Sequence, residues 1–274
     1  MRSRANPRRP DAFQIFSIVI ALLVILFISS AICAIFLGGF GEFFNNLKSP
    51  ETAFAFKMSL CTASISSVIV LILALPTAYA LTRTSMPCKR LFGTIIELTL
   101  SLPYLLLGLA LLILFSSSLG KWFKGQGFEV VFSPNGIIMA HILVNLPYAI
   151  RLVRTAFEAS DNRLEFVAQT LGATPWQSFV TILLPMCRAS LISTFILVWS
   201  RALGEFGATL MLVGITRFKT ETLPGSIYLN ISTGDNTTAM ASAMLMLLIS
   251  GCALLISQAL NRRHRSNERQ AELN

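Results

Sequence analysis

The chain has 274 residues, of which 54% are hydrophobic and 13% charged, and its formal net charge is +9. The cations are dispersed along the margins of apolar segments and form no basic face interleaved with aromatic residues, which argues against a nucleic-acid partner and favours anionic lipid. The five cysteines have no paired spacing and only two histidines occur, so nothing supports a disulfide framework or a metal site.

Six apolar stretches are long enough to cross a membrane. A bilayer core about 30 Å thick needs roughly 20 apolar residues of helix. The six candidate spans cover about 13–37, 54–81, 92–116, 136–157, 186–213 and 238–260. The first could imitate a secretory signal, but its roughly 25 apolar residues exceed the usual core of about 7–15, so we interpret it as an uncleaved anchor.

The distribution of lysine and arginine orients these spans. Of the 22 lysine and arginine residues, 15 lie in the N-terminal and C-terminal tails and in the second and fourth connections between spans. Five lie in the other three connections. By the positive-inside rule, both termini and the 158–185 loop are cytoplasmic. No connection is long enough for an independent core. The sequence therefore predicts an all-α membrane protein, with a six-helix domain at 13–261 between cytoplasmic tails at 1–12 and 262–274.

The chain carries no recognisable machinery for chemistry. It has no GxxxxGK[ST] phosphate loop, and His141 alone cannot supply the groups that an intramembrane hydrolase needs. We predict no catalytic residue, metal or cofactor in this chain, so an ATPase that drives it would be a separate polypeptide. A channel and a secondary transporter remain alternatives, although six spans without an inverted repeat fit the latter poorly.

The cytoplasmic loop has the sequence pattern of two short helices that meet at a turn. Asn162 and Glu165 have the spacing of a capping box, which predicts a helix beginning at Asn162. Gly172 supplies the stop signal of that helix. Residues Thr174–Gln177 form a second capping box, with proline at the first helical position.

The two predicted helices each have a distinctive face. Glu165, Ala168 and Gly172 share one face of the first helix, where small side chains would let another protein approach closely. The apolar side of the second helix carries Trp176, Phe179, Ile182 and Leu183. Pro185 then removes a backbone donor and bends the chain into the fifth span. Periodicity alone leaves two readings open: a docking surface, or an amphipathic elbow that lies on the membrane without a partner.

This loop resembles the EAA loop of permease subunits of ABC importers. In that family the pattern is EAA, three residues, glycine, nine residues and then I-x-L-P. Here nine residues separate Gly172 from Ile182, and Pro185 completes the second half of the pattern. In the first half, Phe166 occupies the glutamate column, with Glu165 just before it. The resemblance to these permeases extends upstream to the segments Arg151–Arg154, Asn145–Pro147 and Ser101–Pro103.

The resemblance implies a mechanism and a set of partners. Such a loop docks in a groove of a cytoplasmic ATPase, which binds ATP and magnesium, and closure of two ATPases switches two permease subunits between inward- and outward-facing states. It also implies an extracytoplasmic binding protein and a place in the plasma membrane of a prokaryote. Because each chain has one loop and an ATPase pair presents two grooves, we predict a homodimer. The coupling residues would be Glu165, Phe166, Ala168, Gly172, Ala173, Ile182 and Pro185.

A substrate signal follows the loop. The segments Arg201–Thr209, Lys219–Pro224 and Thr233–Asp235 look like those of oxyanion permeases, most closely the molybdate/tungstate permeases, with sulfate/thiosulfate permeases next. All these substrates are tetrahedral dianions. The resemblance implies that the permease passes such an ion and that the binding protein makes the fine selection.

Arg201 and Glu205 are the charged residues that lie far from any predicted span end. They are four residues apart, so on one helix they could neutralise each other. Ser200, Gly204 and Ala208 form a small-residue stripe that favours close helix packing. Two readings stay open: a structural ion-pair clamp, or a translocation path or gate. The path residues would be Arg201, Gly204, Glu205, Gly207 and Thr209.

Overall fold

A computed structural model describes residues 11–271 of the chain, with side chains as far as residue 256 and at 258. The described part is helical and contains no strand. Its helices are α1 (Ala12–Gly39), α2 (Phe43–Leu47), α3 (Pro50–Arg83), α4 (Lys89–Ser101), α5 (Tyr104–Ser116), α6 (Ser118–Gly125), α7 (Pro134–Ala159), α8 (Asn162–Thr170), α9 (Pro175–Ser178), α10 (Leu184–Leu203), α11 (Gly207–Val213), α12 (Leu223–Ser232) and α13 (Asn236–Ala271).

The third predicted span is broken in the middle. Five stretches of helix are long and apolar enough to cross a membrane, and α4 with α5 makes a sixth span only as a pair bent by 111°. Each of these two helices has 13 residues, about 20 Å, which is shorter than a bilayer core. Pro103 causes the break, because it forces Leu102 into an extended conformation. The predicted third span over about 92–116 is therefore present as this bent pair.

The fifth predicted span also ends early. A continuous helical stretch covers Pro175–Leu203, and Gly204 ends it, so that α11 starts as a separate helix at Gly207. The prediction of one span over 186–213 is wrong. At the cytoplasmic end, a π-helical turn at Phe179–Leu183 precedes Pro185. Such a wider turn accommodates the proline ring, so α9 joins α10 without the predicted bend.

The centre of the fold is the contact between α3 and α7. Ser66 lies against His141 and Arg83 against Phe157, so the two helices run in the same direction with a nearly constant offset along the chain. α10 packs on both. The shared apolar core consists of Val70, Ala74, Ala78, Leu81, Ala149, Ile150, Val153, Phe157, Phe179, Leu183, Cys187 and Val198.

The first helix stands apart from this core. None of its most apolar residues is buried, and it packs on α13 near its outer end, where the backbone of Met240 lies against Gly39. The final helix continues through Ala271, beyond the predicted domain end at 261. Residues 1–10 and 272–274 of the predicted tails lie outside the described residues. The domain boundaries stay predictions.

Candidate functional site

The start of the cytoplasmic loop differs from the predicted capping box. α7 continues to Ala159, so the loop proper begins at Ser160. Asp161, not Asn162, caps α8, and its carboxylate accepts a hydrogen bond of 2.9 Å from the backbone N–H of Arg163. The predicted start of the helix at Asn162 is confirmed. The box is wrong, because Asp161 has the same capping chemistry one residue earlier and Glu165 has another partner.

The turn between α8 and α9 follows the prediction. Gly172 has a φ of +97°, in the region that favours glycine. The Gly172 N–H donates to the carbonyl of Gln169 and the Ala173 N–H to that of Ala168, at 3.1 and 3.0 Å, which is the Schellman pattern. Both hydrogen bonds of the Thr174–Gln177 capping box form, at 3.2 and 2.8 Å. The predicted stop and second box are confirmed.

Glu165 does not share an exposed face with Ala168 and Gly172. Its side chain is 7% exposed, and one carboxylate oxygen accepts from Nε of Arg83 at 2.9 Å. The predicted common face is wrong for Glu165, because the end of α3 approaches α8 and supplies a guanidinium. The place of Glu165 among the coupling residues stays a prediction. The sequence pattern of the loop does not indicate Arg83 as a partner, because Arg83 lies outside the loop. Its position at the last residue of a span is the only hint in the sequence.

The outer surface of the loop is apolar. Phe166 is 72% exposed, Leu171 83% and Trp176 70%. Beside them a groove between α8 and the start of α10 is lined by Leu164, Val167, Ala168, Leu171, Thr181, Ile182, Pro185 and Met186. A Cβ at Gly172 would meet nothing within 4 Å. The structure thus brings Ala168, Ile182 and Pro185 of the predicted coupling residues to one groove, whereas Phe166 lies beside Glu165 in a second groove towards the end of α3.

A second candidate site lies where the two broken spans meet. One terminal nitrogen of Arg201 donates to the hydroxyl of Tyr104, the first residue after the α4–α5 break. The guanidinium carbon lies 5.2 Å from the ring centre of Tyr104 and 4.9 Å from that of Tyr148. Tyr148 is the fifteenth of the 26 residues of α7. Arg201 is therefore near the middle of the membrane, held by cation–π contacts.

The predicted ion pair between Arg201 and Glu205 does not form. Because α10 ends at Leu203, the two residues do not share one helix face. Glu205 is 4% exposed, and its carboxylate accepts a 2.8 Å hydrogen bond from the N–H of Ala208, in the first turn of α11. Within residues 11–256, Arg201 forms no ion pair, and its Nε has no hydrogen-bond partner. The clamp hypothesis, in its predicted form, is wrong.

Small residues at the breaks bring α11 against α5. A Cβ at Gly108 would lie 2.5 Å from the carbonyl oxygen of Ala208, and one at Gly207 would lie 3.4 Å from the backbone nitrogen of Leu105. Gly204 is exposed, whereas Thr209 is buried and its hydroxyl has no partner. Ala208 packs on Gly108, so it does not extend the predicted stripe along α10. Sequence reasoning missed Tyr104 and Tyr148, although Tyr104 directly follows a noted proline.

Comparison with known proteins identifies the family. Residues 74–266 match the family described as binding-protein-dependent transport system inner membrane component. The chain belongs to this family. It is a multi-pass inner-membrane permease subunit of an ABC importer, so a secondary transporter is excluded.

Relatives and a solved structure agree with this assignment. The molybdenum permease ModB of Escherichia coli is 33% identical over 223 residues, which are 79% of this chain and 96% of the relative. The sulfate permease CysT of the same organism is 29% identical over 84% of each chain. The crystal structure of a bacterial alginate ABC transporter has a chain with a TM-score of 0.74 and 16% identity, covering 92% of this chain and 94% of its own. At that identity the likeness shows the fold alone.

Proposed function

We propose that this permease imports a tetrahedral oxyanion, molybdate or tungstate, using ATP that two separate ATPase subunits hydrolyse. It works as a homodimer and receives its substrate from an extracytoplasmic binding protein. The chain itself supplies the path and the coupling loops and holds no cofactor. ModB-type relatives and the resemblance of Arg201–Thr209 to oxyanion permeases support the substrate class.

The observation that carries this proposal is the position of Arg201. A cation near the middle of a bilayer is costly, and such residues commonly mark a substrate pathway. This guanidinium has two aromatic neighbours and no carboxylate partner, so its charge is available to a passing dianion. The backbone N–H of Ala208 partly offsets the negative charge of Glu205 in this arrangement.

The remaining path residues lie around the same break. Gly207 lets the start of α5 approach α11 closely, and Gly204 faces Met246 of α13. Thr209 and Tyr104 offer hydroxyl groups, which can donate to an oxyanion. Broken helices inside a membrane commonly line a cavity, where their free backbone groups can be satisfied. We propose that the path of the ion passes Arg201, Gly204, Glu205, Gly207 and Thr209.

The coupling loop supports the ATPase partnership. Phe166, Leu171 and Trp176 are large apolar side chains exposed on the loop, and a groove lined mainly by apolar residues includes Leu171; exposed apolar patches mark interaction sites. A loop that is fixed by a Schellman turn and a capping box presents this surface in one shape. Each chain has one such surface, and two closing ATPases require two, which favours a symmetric pair.

Sulfate is the second candidate substrate. CysT matches the larger share of this chain, 84%, whereas ModB has the higher identity. All three anions are tetrahedral and doubly charged, so the mid-membrane cation suits each of them. Selection between them then belongs to the binding protein.

Transport by the reconstituted complex tests the substrate. The permease, its cognate ATPase and its binding protein are placed in liposomes, and ATP-driven uptake of labelled molybdate, tungstate and sulfate is measured. We expect molybdate and tungstate uptake at concentrations where sulfate competes poorly. Preferential sulfate uptake would support the second candidate, and uptake of no oxyanion would overturn the proposal.

Replacement of Arg201 tests the path. Because Arg201 has no carboxylate partner, Arg201→Met should lower anion uptake about tenfold or more while assembly and ATP hydrolysis persist. Arg201→Lys, which keeps the charge, should retain more uptake. The double variant Arg201→Met with Glu205→Gln should be no better than the single one. Recovery of uptake in the double variant would instead restore the ion-pair clamp.

A further inference from the structure

One arginine connects three helices at the cytoplasmic end of the core. Arg83 is the last residue of α3, and its side chain is 10% exposed. Nε donates to Glu165 of α8 at 2.9 Å. One terminal nitrogen donates to the carbonyl of Phe157 at 2.7 Å and to the hydroxyl of Ser160 at 2.8 Å, both at the end of α7. The guanidinium group has several N–H donors in a fixed planar fork, so it can bind acceptors on two helices at once.

The charges suit the helix ends that they join. The helix dipole of α7 favours a cation at its C-terminus, and that of α8 favours a carboxylate in its first turn. Ser178 donates to the carbonyl of Glu165 at 3.4 Å, which also holds the start of the next helical segment to α8. The pair is therefore part of a continuous polar connection from α3 to the helix that leads into α10.

The pair is buried, and a groove opens beside it. A groove between the end of α3 and α8 is lined by Tyr79, Arg83, Asn162, Glu165, Phe166 and Gln169. Across this groove the described residues form one ion pair, Arg83–Glu165. The pair is therefore the polar link between α8 and α3. A second, apolar link runs from Phe179, just after α9, to Tyr79 of α3 and Phe157 of α7, with 5.1 and 6.2 Å between ring centres.

We propose that Arg83 and Glu165 are positioning residues that transmit movement of the coupling loop to α3. When the loop is displaced, the buried ion pair pulls on the end of α3 and, through Phe157 and Ser160, on the end of α7. This inference rests on the proposed docking of an ATPase at the loop and is independent of which anion is transported. It assigns Glu165 to the inside of the permease and leaves the apolar surface to the partner.

The test uses three variants and a matched control in the assembled transporter. Glu165→Gln removes the charge and keeps the shape. Arg83→Lys keeps the charge and removes the fork. The double variant Arg83→Met with Glu165→Met fills the site with apolar groups, which often preserves the stability of a buried pair. The control is Glu158→Gln, which breaks an exposed pair with Arg154 on α7, 2.7 Å long and about half exposed.

Two readouts separate transmission from stability. The first is the number of anions transported per ATP hydrolysed. The second is the distance between spin labels on Cys61 of the two permease copies, measured with and without ATP in a background lacking the other cysteines. Cys61 is an exposed residue of α3, far along that helix from Arg83. This distance needs no transported anion.

We expect Glu165→Gln and the double Met variant to assemble with the ATPase and hydrolyse ATP. In both, the number of anions transported per ATP hydrolysed should fall by about 90%, because ATP hydrolysis would continue without moving α3 and α7. Their ATP-dependent change at Cys61 should also shrink, and Arg83→Lys should be intermediate. A double variant that regains both stability and coupling would reduce the pair to a structural role and overturn the proposal. So would unchanged coupling in Glu165→Gln, or loss of ATPase binding as its main defect.

Failure of the substrate proposal has a different signature. A wild-type complex that moves no oxyanion, yet changes its Cys61 distance with ATP, contradicts the substrate only. In that case the distance change alone decides the role of Arg83 and Glu165. The Glu158→Gln control should match the wild type in both readouts.

Discussion

The cytoplasmic turn and the mid-membrane break at Arg201 are built by opposite means. In the turn, hydrogen bonds join residues at most five apart, as between Thr174 and Gln177 or between Ala173 and Ala168. At the break, Arg201 meets Tyr104, 97 residues earlier in the chain. The difference teaches that a loop which must keep one shape is encoded locally, whereas the site inside the membrane exists only after distant helices have packed.

The packing of α11 on α5 is the contact whose loss should have the largest effect. In Gly108→Leu the new side chain would start 2.5 Å from the carbonyl oxygen of Ala208, so the two helices must separate. We expect a loss of about 3 kcal/mol or more, because neither backbone can move away cheaply. Thermal unfolding of the purified permease measures this loss.

Gly251→Ala is the matched control for that variant. Gly251 also lies in a membrane helix, but a Cβ there would meet nothing within 4 Å. We expect its thermal stability to be unchanged or slightly higher, because alanine favours helix. Equal stability of the Gly108 and Gly251 variants would contradict the view that the packing of α11 on α5 holds this site together.

A charge at the cytoplasmic turn should weaken attachment of the ATPase. Gly172→Asp places a carboxylate next to an exposed apolar surface, and burial of that charge on docking would weaken binding about tenfold. Gly172→Asn has the same size and tolerates a positive φ, so it should bind nearly as well as the wild type. Titration of the ATPase onto immobilised permease measures both. Equal weakening by the two variants would point to size and not to charge.

Loss of the second capping box should have a smaller, local effect. Thr174→Ala removes the acceptor for the N–H of Gln177, which typically costs about 1 kcal/mol. Amide hydrogen exchange at Pro175–Ser178 should then quicken about fivefold, with little change in the core. Thr170→Ala is the control, since that hydroxyl only bonds back within α8. Faster exchange across α3 and α7 would mean that the box stabilises more than the turn.

The outer surface pair should have the smallest effect. Lys124 donates to Glu129 at 2.7 Å, and this hydrogen bond holds the pKa of Glu129 below its ordinary value of 4.5. A carboxyl group whose pKa is lower in the folded protein stabilises the fold at pH values above the pKa of the unfolded chain. This stabilisation is lost as the pH falls through the pKa of the folded protein. Both side chains are exposed, so Glu129→Gln should unfold like the wild type at neutral pH. A clear difference at pH 7 would show that this pair is not a simple surface contact.

Local sequence patterns were sufficient for the loop and insufficient for the breaks. Gly172 and Thr174–Gln177 form as predicted because their partners lie within one turn of the chain. The first cap shifted to Asp161, since adjacent residues of the same type compete for it. Hydropathy found the spans but is blind to direction, so it could not show the 111° bend after Leu102.

The charged residues show the same limit in electrostatic terms. The sequence singled out Arg201 and Glu205 because both lie deep in an apolar stretch. Their pairing was predicted from a continuous helix, and it failed because the N–H of Ala208 binds the carboxylate of Glu205 after α10 has ended. Glu165 was assigned to the surface because nothing near it in the chain revealed Arg83, 82 residues earlier.

The parallel contact of α3 with α7 also delays the burial of α3 during biosynthesis. The buried hydroxyl of Ser66 in α3 cannot meet His141 of α7 until about 75 further residues have left the ribosome, and that of Ser59 meets Leu223 of α12 later still. At roughly 5–20 residues per second, this delay lasts several seconds. During that interval α3 must wait beside the insertion machinery or in lipid with these hydroxyl groups uncovered. Slowing translation between α3 and α7 should therefore increase degradation of the nascent permease.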